Sequence, residues 1–178
     1  MIRFFNLTKG NNMKALNPEH IKSVIKSINK GPFFKHLSMQ VTELNIGYSK
    51  VTATIREKYM NPFGSVHGGV FSSLIDTAAY WAAYCDLRED QGLVTVDLKI
   101  DLLAPVLDKI VIVEGKRIKS GQTLCLTEAQ MFNESGKILA HGTSKLMVTQ
   151  NKQTIHDIVD FVDAEKPPEK FLRGRHVV

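Results

Sequence analysis

The sequence predicts an α+β domain in which an antiparallel sheet wraps around one long central helix. Three observations carry this. One stretch, residues 67–86, has a helical pattern and is apolar on most of its faces. Four β-branched stretches follow it, separated by turn residues. Other helical patterns are short and lie towards the two ends.

Taken in order, Asn17-Pro18 is a helix start, with a capping side chain followed by a proline at the first helical position. Ile21, Val24, Ile25 and Ile28 follow at helical spacing, and Gly31-Pro32 stops the run. Lys22, Lys26 and Lys30 line the outer side, the ordinary solvated stripe of an amphipathic helix. Residues 39–57 alternate, with a break at Gly47, and read as two short strands or one bent strand. After the central helix, strands are expected over 93–103, 109–119, 123–133 and 137–150. Ala104-Pro105 and its loop, Ser120-Gly121, and Asn133-Glu134-Ser135-Gly136 separate them, as hairpin turns. From residue 151 the pattern weakens to one amphipathic segment around Ile155, Ile158, Val159 and Val162, then Pro167-Pro168 and a basic end. The expected division is an N-terminal arm and helix over 1–35, the main domain over 36–150 and an appended extension over 151–178.

The 178 residues are 43% apolar, a globular value that suits one domain. No apolar run is long enough to span a bilayer. The opening "MIRFFNLTKGNNMK" has too short an apolar patch for a signal peptide, and Met13 is an alternative start. Cys85 and Cys125 sit in apolar segments without CxxC spacing, which reads as reduced thiols in a cytoplasmic protein. The net charge of +5 is concentrated in residues 1–35, with seven Lys/Arg against Glu19; the rest holds 16 basic and 17 acidic residues. No Arg-rich cluster interleaved with aromatics accompanies it, so a nucleic-acid partner is not expected.

The central helix carries one carboxylate, Asp76. At about 100° per residue, Gly69, Ser72, Ser73, Ala79, Tyr80 and Ala83 fall within roughly 60° of it. Val70, Phe71, Leu74, Ala78, Trp81, Ala82 and Cys85 fall opposite and form the expected core face. A solvent face would usually carry Lys, Arg or Glu, and this one has none. Small residues such as Gly69, Ser72 and Ser73 leave room for a substrate to approach. Asp76 is too deep in the helix to cap it. A buried carboxylate needs donors or a raised pKa.

His67-Gly68-Gly69 opens the same helix. Its unpaired N–H groups and the positive end of the helix dipole suit an oxygen gaining negative charge, and glycine keeps no side chain in the way. Gly68 N–H is the candidate oxyanion donor. Gly68 and Asp76 are eight residues apart, about 12 Å along the axis. A reacting carbonyl needs both groups within roughly 3–3.5 Å. If both act, the site is shared between two copies, with two helices running antiparallel past each other.

The stretches "NPFGSVHGGVFSSLIDTAAYWAA", "GLVTVDLKIDLLAPV" and "AHGTSKLMV" resemble the hotdog-fold acyl-CoA thioesterases of the phenylacetate-degradation (PaaI-like) group, over roughly residues 33–149. The spacing of Asn61, His67 and Asp76 fits that group's motif. The resemblance implies a hotdog fold, dimers that share active sites, and a pairing of dimers into a tetramer. It implies Asp76 as the catalytic base or nucleophile, Gly68 N–H as the oxyanion donor with His67 beside it, and Asn61 as the residue that orients water or the substrate carbonyl. Thr95 falls where some relatives have a hydroxyl that holds the water. On a regular strand, Thr95 and Asp97 would share one face. Coenzyme A carries phosphates, so Lys145 is a candidate contact, with Arg173 and Arg175 in the tail. No cofactor or metal is expected: coenzyme A belongs to the substrate, and His20, His36, His141, His156 and His176 are scattered without ligand spacing. A non-catalytic acyl-CoA sensor and a hotdog enoyl-CoA hydratase are the alternatives.

Overall fold

The computed structural model describes residues 15–172, so Arg173 and Arg175 lie outside the described residues. Helix α1 (Pro18–Ile28) starts as its sequence directs, with Asn17 accepting a hydrogen bond from Glu19 N–H at 3.1 Å. Val24 and Ile28 are buried, while Ile21 and Ile25 pack at the margin of the core. A short helix absent from the sequence reading, α2 (Pro32–His36), follows at once. Strands β1 (Met39–Asn45) and β2 (Tyr48–Thr54) form a hairpin. Gly47 turns it at φ +68°, a backbone region that favours glycine.

The central helix α3 (Gly68–Tyr84) precedes β3 (Gln91–Leu102), β4 (Ile110–Ser120), β5 (Leu124–Asn133) and β6 (Ile138–Gln150). All six strands form one antiparallel sheet in the order β1-β2-β4-β5-β6-β3. This corrects one expectation. The segment at Ala104-Pro105 is a crossing and not a hairpin turn, since β3 pairs with β6 at the sheet's far edge. Leu103 and Ala104 N–H both donate to Leu139 O, which pins the crossing to the start of β6.

α3 lies against one face of this sheet and touches all six strands. Two glycines set how close it comes. A Cβ on Gly115 would stand 2.1 Å from Ala78 O, and one on Gly142 would stand 2.5 Å from the Ile75 side chain. Ser49 Oγ donates to Ala78 O at 2.6 Å across the same contact. Ile75, Ala78, Ala79, Ala82 and Ala83 are fully buried. The sheet therefore covers more of the helix than the expected core face, and Ala79 and Ala83 belong to the packing. What stays partly open is a narrow line: Gly69, Ser72, Ser73, Asp76, Thr77 and Tyr80.

Residues 151–172 do not hang off the domain as an appendage. Helix α4 (Ile155–Phe161) is closed by a Thr154/Asp157 capping box and buries Ile155 and Val159. Beyond it Leu16 bridges Phe171, and His20 Nδ1–H donates to Pro168 O at 2.6 Å. A carbonyl can only accept, so His20 Nε2 is the acceptor for Tyr84 O–H at 2.7 Å. Burial lowers the His20 pKa, in keeping with a neutral ring. Lys170 is only 1% exposed, and its ammonium donates to Tyr84 O at 2.6 Å and Leu87 O at 2.8 Å. It also lies 3.9 Å from the centre of the Tyr84 ring.

Candidate functional site

The loop before α3 is built by Asn61. Its Oδ1 accepts from Phe63 N–H at 2.9 Å and Ser65 N–H at 3.2 Å, which closes a tight turn. Asn61 N–H donates to Ser65 O at 2.7 Å. The side-chain oxygen is thus committed to the loop, and the Nδ2 amide is the group left to meet a carbonyl or water. His67 is anchored by donating its N–H to Tyr59 O at 2.9 Å.

His67 is the N-cap of α3, and its Nδ1 accepts from Gly69 N–H at 2.8 Å. The ring is therefore neutral at Nδ1 and carries its proton on Nε2. This divides the two glycines. Gly69 N–H serves the cap, so its part in substrate binding is one of space and not of donation. Gly68 N–H, at the first helical position, has no acceptor among the described residues. The head of the helix thus offers one free donor in the field of the dipole.

Asp76 sits two turns on, half-buried. Thr95 Oγ1 donates to its Oδ1 at 3.0 Å from β3. Burial pushes the Asp76 carboxyl above the usual carboxylate range, and the Thr95 hydrogen bond offsets part of that. Ser72 and Ser73 hydroxyls bond back to Gly68 O and Gly69 O, and Thr77 bonds to Ser73 O. The line beside Asp76 is thus small and internally satisfied, and no cation stands on it.

Thr95 and Asp97 do not share a face, contrary to the regular-strand expectation. The β3–β6 register shifts between them, so Val96 is an extra residue. Thr95 turns in to Asp76, while Asp97 turns out and pairs with Lys145. Lys145 lies between buried Ser144 and Leu146, so its side chain projects from the outer face of the sheet. Lys145 is therefore not brought to the carboxylate. Thr95 joins Asp76 directly, whereas Asn61, His67 and Gly68 gather at the helix head about 12 Å away. Both groups lie on one unbroken helix, so one copy of the chain does not bring them together.

Two features have partners that the local sequence does not signal. Tyr80, one turn after Asp76, donates its O–H to Leu93 O at 3.2 Å and packs edge-on to Trp81. Its place on the Asp76 face was visible, but its partner strand was not. Lys170 follows Pro-Pro-Glu, a context that reads as solvent; only the long-range fold buries it. Among the described residues no three of His, Cys, Asp and Glu come together as metal ligands, and no helix is long and apolar enough to cross a membrane.

This geometry can be set beside known proteins. The profile of the thioesterase superfamily matches residues 63–140, from the helix head through the start of β6. Human acyl-coenzyme A thioesterase 13 is 28% identical over 128 residues, covering 70% of this chain and 91% of that protein. Its mouse counterpart is 27% identical over the same span. Among solved structures, a thioesterase of Haemophilus influenzae superposes with a TM-score of 0.68 at 21% identity, covering 74% of this chain and 92% of that one. A thioesterase family protein of Silicibacter pomeroyi gives 0.66, also at 21% identity, covering 74% of this chain and 98% of that one. These likenesses agree with the six-stranded sheet and its central helix: the fold is the hotdog, and residues 63–140 match the thioesterase superfamily.

Proposed function

We propose that this chain is an acyl-CoA thioesterase of the PaaI-like kind, hydrolysing a small aryl- or fatty-acyl thioester. The observation that carries the reading is the pairing of a half-buried, cation-free carboxylate, Asp76, with a free amide donor, Gly68 N–H, on one helix. Water attacks the thioester carbon while Asp76 takes its proton, or Asp76 attacks directly and water releases the acyl group. In either route the carbonyl oxygen becomes an oxyanion, which Gly68 N–H stabilises; one such donor is worth about 2.7–4 kcal/mol. The C–S bond then breaks, and the leaving thiolate takes up a proton as free coenzyme A. Asn61 Nδ2 and the Nε2–H of His67 stand near the oxyanion end, and Thr95 orients the carboxylate. No cofactor enters the scheme.

The same reading requires two copies, with Gly68 of one facing Asp76 of the other. Two features support it. β3 is an edge strand, and it exposes Val96 (54%) and Leu102 (56%), apolar side chains that an isolated sheet edge rarely presents. A two-fold pairing builds two equal sites. A further pairing of dimers into a tetramer, and a cytoplasmic location in keeping with free, buried Cys85 and Cys125, complete the proposal.

The test mixes two inactive variants. Gly68→Pro removes the donor and Asp76→Asn removes the base. Unfolding and refolding the two together gives mixed dimers with one intact site, hence about a quarter of wild-type thiol release. No recovery in mixed dimers shown to form would rule out sharing. A wild type that binds acyl-CoA without releasing thiol would point to a sensor instead. One that hydrates enoyl-CoA would point to a hydratase.

A further inference from the structure

The reading above leaves the acyl group unspecified, and the seam between α3 and β3 bears on it. The two elements run antiparallel side by side. A Cβ on Gly68 would touch Leu102, Thr95 meets Asp76, and Leu93 meets Tyr80. From Asp76 towards the helix head the partly open line of α3 carries Ser73 and Ser72, both polar. Towards the foot it is apolar and aromatic. An acyl chain whose carbonyl sits at Asp76 therefore runs towards the foot.

It does not run far. Tyr80 stands one turn from Asp76, about 6 Å along the axis. Its hydroxyl is tied to Leu93 O, its ring packs on Trp81 at 5.2 Å, and Trp81 packs on Tyr84 at 5.4 Å. Behind this wall lies a narrow void of about 10 Å³, lined by Tyr80, Trp81, Tyr84, Leu93, Ile155 and Ile158 among others. That is room for about one water and no more. The far side of the void is α4, which lies beyond the superfamily match at residues 63–140. Its approach is locked by backbone. Asn151 N–H donates to Asp90 O at 2.7 Å, and a Cβ on Gly92 would stand 2.1 Å from Gln153 O.

We propose that Tyr80, backed by Ile155 and Ile158 of α4, is the floor of the acyl pocket, so that the enzyme takes short-chain or single-ring acyl thioesters and rejects long fatty chains. The proposal rests on the thioesterase reading. It adds that the segment after β6, and not the superfamily core alone, sets acyl length.

The experiment is thiol release from butanoyl-, phenylacetyl-, octanoyl- and hexadecanoyl-CoA by the full chain, wild type beside Tyr80→Phe, Tyr80→Ala and Ile158→Ala. Wild type is expected to favour butanoyl or phenylacetyl over hexadecanoyl by at least about tenfold in kcat/KM. Tyr80→Phe keeps the ring and the profile. Tyr80→Ala, or Ile158→Ala if the first variant is unstable, moves the optimum to a longer chain by at least about tenfold in the ratio. A wild type that cleaves hexadecanoyl-CoA as well as butanoyl-CoA overturns the floor while leaving the thioesterase reading intact. So does a uniform loss over all chains in both shortened variants. A wild type that cleaves none of the four overturns the thioesterase reading itself, and the floor with it.

Discussion

The two ends of α3 are finished in opposite ways. At the head, two glycines, an exposed histidine cap and the Asn61 turn leave one amide donor unclaimed. At the foot, Lys170 reaches in from 86 residues away and satisfies Tyr84 O and Leu87 O in a buried site. Helix ends expose unpaired N–H groups at one end and unpaired C=O groups at the other. This chain neutralises the negative end with a buried cation and leaves the positive end open. The difference separates roles: the head is available for chemistry, the foot for holding the helix in place. The comparison predicts that variants towards the head cost activity without stability, and variants at the foot the reverse.

The largest effect is expected at Asp76. Asp76→Asn should lower thiol release by about 10³-fold or more, the scale of losing a general base. Its stability should move the other way. The folded pKa of Asp76 lies above the unfolded value, so ionisation weakens the fold as pH rises through the folded pKa, and this loss is absent below the unfolded one. The Tm of Asp76→Asn at neutral pH should therefore equal or exceed that of wild type, with the gap closing as pH falls below the ordinary carboxylate range. A much lower Tm would mean that Asp76 is structural.

Next in size is Gly68→Pro. Proline suits the first helical position, and His67 already has the extended backbone (φ −62°, ψ 136°) that a following proline demands. A Cβ there meets only Leu102 at an ordinary 3.5 Å. The variant deletes the N–H and little else, so kcat should fall about 10²–10³-fold with Tm held. Unchanged kcat would exclude Gly68 as the donor.

Lys170→Ala tests the foot. Two buried carbonyls lose their partner, which should cost about 2–4 kcal/mol in chemical denaturation. kcat/KM per folded molecule should stay within about threefold. A wild-type-like denaturation midpoint would show that the buried lysine does not hold the tail. Burial lowers the Lys170 pKa to about 8. For a lowered amine the unfolded state binds more protons, so wild-type stability should rise between about pH 8 and the ordinary lysine pKa. Lys170→Ala should lack that rise.

The smallest expected effect is at Thr95. Thr95→Val removes the hydrogen bond that draws the Asp76 pKa down against burial. The acid limb of the kcat/KM profile should move to higher pH, with the plateau lowered by less than in the Gly68 variant. A limb that moves down or stays fixed would mean that Thr95 does not touch the working carboxylate.

Much of this arrangement was legible in the chain. The α3 bounds follow from the cap at His67 and the end of the apolar run, because helix signals are local. The same holds for Asn17-Pro18 and for the strand spacing. What escaped depends on partners far away in sequence. The placement of β3 beside β6 is a choice among pairings that turn residues do not encode. The extra residue at Val96, which sends Thr95 inward and Asp97 outward, is set by the opposing strand. Lys145 then pairs with Asp97 on the outer face of the sheet. The burial of Ile155, Val159 and Lys170 was not legible for the same reason, since weak periodicity says nothing of how deeply a segment is buried by its neighbours.

The bond between Lys170 and Tyr84 has one more implication, for the order of events during folding. Contacts this distant along a chain form late. Until the tail arrives, the helix bearing the carboxylate stands with bare carbonyls at its base, and its aromatic residues lie open to water. The native molecule is expected to open at this contact before the sheet does, and hydrogen exchange at Cys85, Asp86 and Leu87 should register that opening before any strand lets go.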